Sequence, residues 1–162
     1  MPRHPLDRTE PVGLLIGAAR RRIKQVVGRR LAHLRLTPPQ FWVLLAVQEG
    51  RAPSMTVLAQ RLRGDQPTAS RIVSALVRRK LVRVEADPAD RRRARLTSTS
   101  AGDALRPELA ALAAEIRGAI VADMDEDEQE AVRRGLRKVI ENMDRFERRG
   151  TPARGAGRKR RA

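Results

Sequence analysis

The chain has 162 residues, of which 41% are hydrophobic and 33% charged, and its formal net charge is +16. The absence of cysteine excludes disulfides, thiol redox sensing and thiolate metal sites. The positive charge predicts a polyanionic partner, usually a nucleic acid. The sequence contains no apolar run long enough to span a bilayer or to form a signal peptide, so we expect a cytoplasmic protein. We also expect no cofactor.

Most of the positive charge lies in two segments. Residues 61–95 carry eleven Lys or Arg against four acids, and residues 150–162 carry five Lys or Arg and no acid. Residues 123–130 include six acids but lack the glycine spacing of a calcium loop, so we predict no metal site there. We expect a flexible N-terminal arm over residues 1–10, a single domain over 11–149 and a disordered basic tail over 150–162.

The first two predicted elements are helices. Apolar residues at three- and four-residue steps predict a helix from about Pro11 to Leu34. In the segment LTPPQFWVLLAVQEG, Thr37 is the expected N-cap, Gln40 completes a capping box and Gly50 suits the C-terminal cap. This second helix is apolar on most sides, so we expect it to be central and buried.

Two short helices joined by a tight glycine-containing connection follow, which is the pattern of a helix-turn-helix. The segment MTVLAQRL predicts the first, with Val57, Leu58 and Leu62 facing inward. The segment QPTASRIVSALVRR predicts the second, with Asp65 as its N-cap. The expected buried stripe of this second helix comprises Ile72, Val73, Leu76 and Val77.

A β-hairpin and two further helices complete the predicted order. Residues 81–85 and 94–98 alternate between apolar and polar residues and flank the turn-rich segment DPADRR, which predicts the hairpin. The next helix should start at Thr99 or Ser100, and Pro107 should kink it or delay its start.

Either Asp125 or Asp127 is expected to begin the last helix, because acids are favourable near the positive end of the helix dipole. The apolar stripe of this helix comprises Val132, Leu136, Val139, Ile140, Met143 and Phe146. A winged helix-turn-helix is complete without this apolar stripe. We therefore expect a second copy of the chain to cover the stripe in a homodimer. The alternative is a monomer with the terminal helices folded back.

Four motifs in the observed order carry a family resemblance: LTPPQFWVLLAV, LAQRL, DQPTASRIVSALVRRKLV and DPADRRRARLTSTSAG. From about Val12 to Arg149 the chain resembles the MarR family of winged helix-turn-helix transcription regulators. The resemblance implies a mainly α (α+β) winged-helix fold, with the winged lobe over 36–99 and helical dimerisation regions over 11–35 and 100–149. It also implies a repressor that binds a pseudo-palindromic double-stranded operator as a homodimer. Release by a small aromatic or amphipathic effector is a further implication.

The chain departs from the family pattern at two places. Lys80 stands where the family usually has glycine, so a residue with a Cβ must take the backbone at the helix end, at a cost of about 1 kcal/mol. Ser98 and Thr99 stand where the family usually has Leu-Thr. Neither place belongs to the expected DNA-binding face.

The start of the second helix of the helix-turn-helix predicts a base-reading surface. A recognition helix presents its N-terminal residues to base edges in the major groove. Amide, hydroxyl and guanidinium groups can bond bases or phosphates there, and an alanine can contact a thymine methyl group. The predicted reading set comprises Gln66, Thr68, Ala69, Ser70 and Arg71. The alternative is that Thr68 and Ser70 are ordinary solvent-facing residues.

The hairpin tip carries Asp90, Arg91, Arg92 and Arg93. The resemblance implies that Arg92 enters the minor groove and that Asp90 orients it, and a narrow A·T-rich minor groove attracts arginine. The alternative is a solvated charged turn. Predicted phosphate contacts, or simply solubilising residues, are Arg61, Arg63, Arg78, Arg79 and Arg83.

The resemblance also implies an effector site, for which His33, Phe41 and Trp42 are the candidates. Phe41 and Trp42 equally suit the hydrophobic core, and His33 suits the surface. We expect no catalysis, because two isolated histidines without Cys or Tyr offer no convergent catalytic set. The main alternative function is a non-specific architectural DNA-binding or RNA-binding protein. RNA binders usually present stacking aromatic residues, and this chain has only two Phe and one Trp.

Overall fold

The computed structural model describes residues 10–62, 66–87 and 94–150, which are mainly helical with a two-stranded antiparallel hairpin. The chain divides into two compact units, Met1–Ile116 and Arg117–Ala162. The helices are α1 (Val12–Arg30), α2 (Pro38–Gln48), α3 (Met55–Leu62), α4 (Gln66–Arg78), α5 (Ser100–Ala104), α6 (Arg106–Ile120) and α7 (Glu126–Gly150). The strands are β1 (Val82–Ala86) and β2 (Ala94–Ser98), and a 3₁₀ helix spans Ala32–Leu34.

Helix α2 begins and ends as its sequence predicts. The Thr37 hydroxyl accepts a hydrogen bond from the Gln40 amide at 3.4 Å, and the Gln40 side chain accepts one from the Thr37 amide at 2.9 Å. After the helix, Gly50 has a φ of 68°, a left-handed conformation that glycine adopts without strain. The capping box and the terminal glycine are therefore both confirmed.

Helix α2 also lies at the centre of the core, as its apolar surface predicts. Its buried residues are Phe41, Val43, Leu44, Leu45, Val47 and Gln48. Val27 and Leu31 pack into the same core from the end of α1 and the turn after it, and Leu109 and Ala113 pack from α6. The core of the first unit is thus made of aliphatic side chains and one aromatic ring.

The first helix is shorter than predicted. Helix α1 stops at Arg30, and after the 3₁₀ turn Arg35 has a φ of 52°. The Arg79 guanidinium donates hydrogen bonds to the carbonyl oxygens of Leu34 at 2.9 Å and Arg35 at 2.7 Å. Carbonyl groups at the end of a helix need such partners, and here a residue far along the chain provides them.

The helix after the hairpin is interrupted, as Pro107 predicts. The Thr99 hydroxyl accepts a hydrogen bond from the Gly102 amide at 3.1 Å and caps α5, which ends at Ala104. Helix α6 then starts at Arg106, so Pro107 falls in its first turn, where its missing N–H leaves no bond unmade.

The second unit contains the amphipathic helix α7. The Asp125 carboxylate accepts a hydrogen bond from the Glu128 amide at 2.8 Å, and the Glu128 carboxylate accepts one from the Asp125 amide at 3.0 Å. This capping box confirms Asp125 as the predicted start. Four residues of the apolar stripe are exposed in the chain, namely Val132, Leu136, Met143 and Phe146, and Phe146 is 72% exposed.

Two predictions of burial are wrong. Val77 is 39% exposed, although we expected it in the buried stripe of α4. Strand β1 does not alternate between core and solvent either, since Leu81 and Val82 are buried while Val84 is 49% exposed. Leu96, which lies directly opposite Val84, is buried, so the second strand contacts the core while Val84 on the first strand stays exposed. Val57 and Leu62 of α3, which the sequence predicts to face inward, are half-buried.

Lys80 occupies the left-handed position that the sequence predicts, with a φ of 57°. Its amide bonds the Val77 carbonyl at 2.8 Å, and the Leu81 amide bonds the Leu76 carbonyl at 3.0 Å. These two bonds form a Schellman motif, in which glycine is favoured at the left-handed position that Lys80 occupies here. The end of α4 therefore has the hydrogen bonds of a regular helix terminus, but the backbone of Lys80 is strained.

We predict that Lys80→Gly raises the free energy of unfolding by about 1 kcal/mol, because glycine adopts this φ without a Cβ clash. Chemical denaturation monitored by circular dichroism measures the change. Lys80→Ala is the matched control, since it removes the charge and keeps the Cβ. An equal gain in both variants would show that charge, and not backbone strain, is responsible.

Candidate nucleic-acid interface

Helix α4 divides into a buried face and an exposed face. Ala69, Val73 and Leu76 are buried at three- and four-residue steps, and they fix the helix against α2 and α3. Gln66, Ser70 and Arg71 are exposed. The helix is therefore held by one side and leaves polar groups free on the other, near its N-terminus.

Ala69 is wrongly predicted as a base-reading residue. Its side chain is completely buried, with an exposure of 0%, so it cannot contact a thymine methyl group on the outer face. It lies one turn before Val73 on the core side of α4. A methyl group at this position lets α4 approach the core closely.

The other predicted reading residues lie where bases could be contacted. Thr68 is half-buried, and its hydroxyl accepts a hydrogen bond from the Arg71 guanidinium at 3.1 Å. This bond holds the Arg71 side chain against the first turn of the helix. Ser74 is exposed one turn after Ser70 on the same side of α4, beyond the first turns from which the predicted reading set is drawn.

The hairpin is anchored at its base. Its register pairs Val82 with Ser98 and Val84 with Leu96. The Leu96 amide also donates to the Pro53 carbonyl at 2.9 Å, which ties the second strand to the loop before α3. The predicted wing residues Asp90, Arg91, Arg92 and Arg93 lie outside the described residues.

The arginines predicted to bind phosphate differ in their contacts. Arg79, predicted to contact phosphate or simply to aid solubility, donates hydrogen bonds from its guanidinium to two backbone carbonyls of the turn after α1. Arg61 donates to the Arg51 carbonyl at 3.1 Å, and Arg78 is exposed at the end of α4. Arg83 donates to the Thr97 hydroxyl at 3.0 Å and pairs with Glu85 at 2.7 Å. Arg63 lies outside the described residues.

The three candidate effector residues do not form one accessible set. Phe41 is completely buried, and its ring meets that of Trp42 edge-on with centroids 4.6 Å apart. Phe41 is thus a core residue, as one reading of the sequence predicts. Trp42 is half-buried, whereas His33 is exposed and its ring contacts the Glu108 carboxylate.

The described residues include neither a cluster of metal ligands nor a membrane-spanning helix. In residues 10–62, 66–87 and 94–150, no three His, Asp or Glu side chains are grouped as metal ligands. None of the helices described is long and apolar enough to cross a bilayer.

A three-helix lobe with an exposed polar helix face and an antiparallel hairpin defines the winged helix-turn-helix class of DNA-binding proteins. A model of the MarR family matches residues 36–93, which span α2 to the hairpin. The HTH-type transcriptional repressor NicR of Pseudomonas putida is 31% identical over 138 residues, which cover 85% of this chain and 87% of NicR.

Solved structures agree with the sequence comparison. BpsR of Bordetella bronchiseptica is 32% identical, with a TM-score of 0.69 over 86% of this chain and 97% of BpsR. The MepR–DNA complex of S. aureus shares the fold at 22% identity, with a TM-score of 0.74 over 82% of this chain and 96% of MepR. The chain belongs to the MarR family of transcriptional regulators. These relatives are regulators and not enzymes.

Proposed function

We propose that the protein is a cytoplasmic repressor that binds a pseudo-palindromic operator as a homodimer. The observation that supports this proposal most directly is the division of α4 into two faces. Val73 and Leu76 are buried and hold the helix, and Gln66, Ser70 and Arg71 face outward. Amide, hydroxyl and guanidinium groups at the front of a recognition helix can read base edges in the major groove. We add Ser74, which continues the same exposed face.

The exposed face of α7 supports the homodimer. Met143 is 57% exposed and Phe146 is 72% exposed in the single chain. The start of α1 is similar, since Val12 is 62% exposed and Leu14 is 61% exposed. Apolar stripes of this size on two helices favour association with a second copy. A twofold dimer would present two recognition helices to two half-sites about one helical turn apart.

The hairpin tip at residues 90–93 and the basic segment 150–162 would each add affinity for DNA. We propose that Arg92 enters the minor groove and that Asp90 orients its guanidinium, with Arg91 and Arg93 beside them. Arg78 and Arg61 are proposed phosphate contacts. The basic segment 150–162 would strengthen binding to any duplex, because contacts to phosphates carry no sequence information.

A hydroxylated aromatic acid is the effector class that we propose. BpsR, at 32% identity, is described as regulated in its DNA binding by 6-hydroxynicotinic acid. In this chain the half-buried Trp42 offers an aromatic face, and the exposed His33 would exchange its contact with the Glu108 carboxylate for the carboxylate of the ligand. Such a ligand would act by favouring a dimer whose recognition helices are misplaced for DNA.

The operator proposal predicts selective binding to the duplex upstream of the gene itself. At ~150 mM salt we expect that duplex to bind at least about a thousandfold more tightly than a scrambled duplex. We further expect Arg92→Ala to weaken operator binding by about tenfold, or 1.4 kcal/mol, and to leave dimerisation intact. Fluorescence anisotropy measures both affinities.

Arg134→Ala is a matched control for Arg92→Ala, because it removes one arginine from the polar side of α7. Equal affinity of the wild type for operator and scrambled duplex would instead favour the architectural function. An operator affinity unchanged by Arg92→Ala would refute the proposed wing contact.

The dimer proposal predicts that Phe146→Glu raises the dimer dissociation constant by at least about a hundredfold, because a carboxylate would have to be desolvated in an apolar interface. Sedimentation velocity over a range of concentrations measures it. Arg134→Glu introduces an acid on the opposite side of α7 and should leave the dimer intact. Equal effects of the two substitutions would place the interface elsewhere.

The effector proposal predicts that 6-hydroxynicotinic acid lowers operator affinity by about tenfold, within the usual range of allosteric coupling. Nicotinic acid, which lacks the hydroxyl group, is the control ligand. Trp42→Leu should reduce the response to the ligand while operator affinity without ligand stays the same. Identical responses to both acids, or no response to either, would contradict the proposed chemical class.

A further inference from the structure

A group of polar contacts joins the end of α2 to the beginnings of α5 and α6. Gln48 is the buried polar residue at its centre, with an exposure of only 7%. Its side-chain amide donates a hydrogen bond to the Gly102 carbonyl at 2.7 Å. The Gln48 backbone carbonyl accepts a bond from the Arg106 guanidinium at 2.7 Å. One residue of α2 is therefore bonded to both helices that follow the hairpin.

Gly102 is fitted closely against the end of the recognition helix and the hairpin base. A Cβ at this position would lie 2.2 Å from the Leu81 carbonyl oxygen and 2.6 Å from the Ser98 hydroxyl. The Thr99 hydroxyl donates to the Lys80 carbonyl at 2.6 Å and accepts from the Gly102 amide. The turn that ends α4 and the first turn of α5 are thus in direct contact.

Arg106 completes the connection at the start of α6. Its guanidinium bonds the Asp103 carboxylate at 2.5 Å while it also donates to Gln48. Hydrogen bonds from Arg106, and then from Ser98, lower the pKa of Asp103 below its usual value. The carboxylate therefore keeps its charge to lower pH than an ordinary aspartate, and its bond to Arg106 fixes the direction of the guanidinium.

Stability alone does not explain the amide of Gln48. Its Oε1 is buried and accepts no hydrogen bond from the described residues. A buried acceptor without a partner costs free energy, so an apolar residue of similar length would be tolerated at least as well. What the amide adds is a directed bond between α2 and α5.

We propose that Gln48, Gly102 and Arg106 form a joint that sets the direction of α6 relative to the recognition helix, and thereby the half-site spacing that the dimer accepts. The three are positioning residues, since they contact other protein groups on the core side of the lobe. The inference rests on the proposed function, because spacing has meaning only for a dimer that reads two half-sites.

The test measures spacing preference separately from half-site preference. Selection from random duplexes with the wild-type protein first yields a half-site sequence and its preferred spacing. Operators with single-base-pair insertions or deletions at the centre are then compared for the wild type, Gln48→Met and Arg106→Met. Arg117→Met is the matched control, because it removes an exposed arginine of α6 that has no part in the joint.

We expect Gln48→Met and Arg106→Met to select the same half-site sequence as the wild type. The ratio of their affinities for the preferred and the altered spacings should fall by at least about threefold, and this ratio should not change in Arg117→Met. Thermal unfolding and sedimentation show whether each variant is a folded dimer. If Arg106→Met fails to fold, Gln48→Met decides the test. In that variant the Gly102 carbonyl still accepts from the Leu105 amide at 3.0 Å.

The outcomes distinguish the joint from the function on which it rests. Uniformly weaker binding at every spacing would overturn the joint and leave only a stabilising role. An unchanged spacing preference in both variants would overturn it as well. If the wild type selects no paired half-sites, the proposed operator reading fails, and the joint fails with it.

Discussion

The first unit depends on the burial of α2 on nearly every side. Phe41, Val43, Leu44 and Leu45 point in successive directions around the helix, and none is more than 2% exposed. A helix that is apolar all round has to be surrounded, and α1, α4, α5 and β2 all contact it. The recognition helix and the hairpin therefore share one support, whose close packing resists displacement of either element.

The parts of the fold that could be predicted from sequence are those decided within a few residues. The Thr37 capping box, the Thr99 cap and the Asp125 capping box each involve partners three residues apart. The end of α1 is different, because Arg79 binds carbonyl groups 44 and 45 positions earlier in the chain. No local pattern contains that contact. Val84 could not be predicted either, since its exposure depends on how far the hairpin extends beyond the core.

The candidate interface shows the same limit at finer scale. Residue type alone placed Ala69 on the DNA side, because a small apolar side chain suits a thymine methyl group as well as a core. Its angular position with Val73 and Leu76 decides for the core. The same helical period identifies Ser74 on the outer face. The roles of the wing residues, Arg92 above all, stay predictions from the family resemblance.

The positive charge of the chain is also used in more than one way. Arg79 is bonded to backbone carbonyls, Arg83 is paired with Glu85, and Arg106 is bonded to the Gln48 carbonyl. Such arginines add to the field around the protein but have their side chains committed to internal partners. The 35 Lys and Arg residues of the chain are therefore not all free to contact phosphates.

The two faces of α4 have a consequence for how regulators of this kind diverge. Residues at the outer positions, such as Ser70 and Ser74, are exposed and bear no part of the core, so under the proposed reading role a substitution there would change DNA preference at little cost in folding. Ala69 is completely buried, so a larger side chain there would instead overpack the core and destabilise the fold. After gene duplication, the operators of two descendants can thus separate through a few surface positions while both copies keep the same fold.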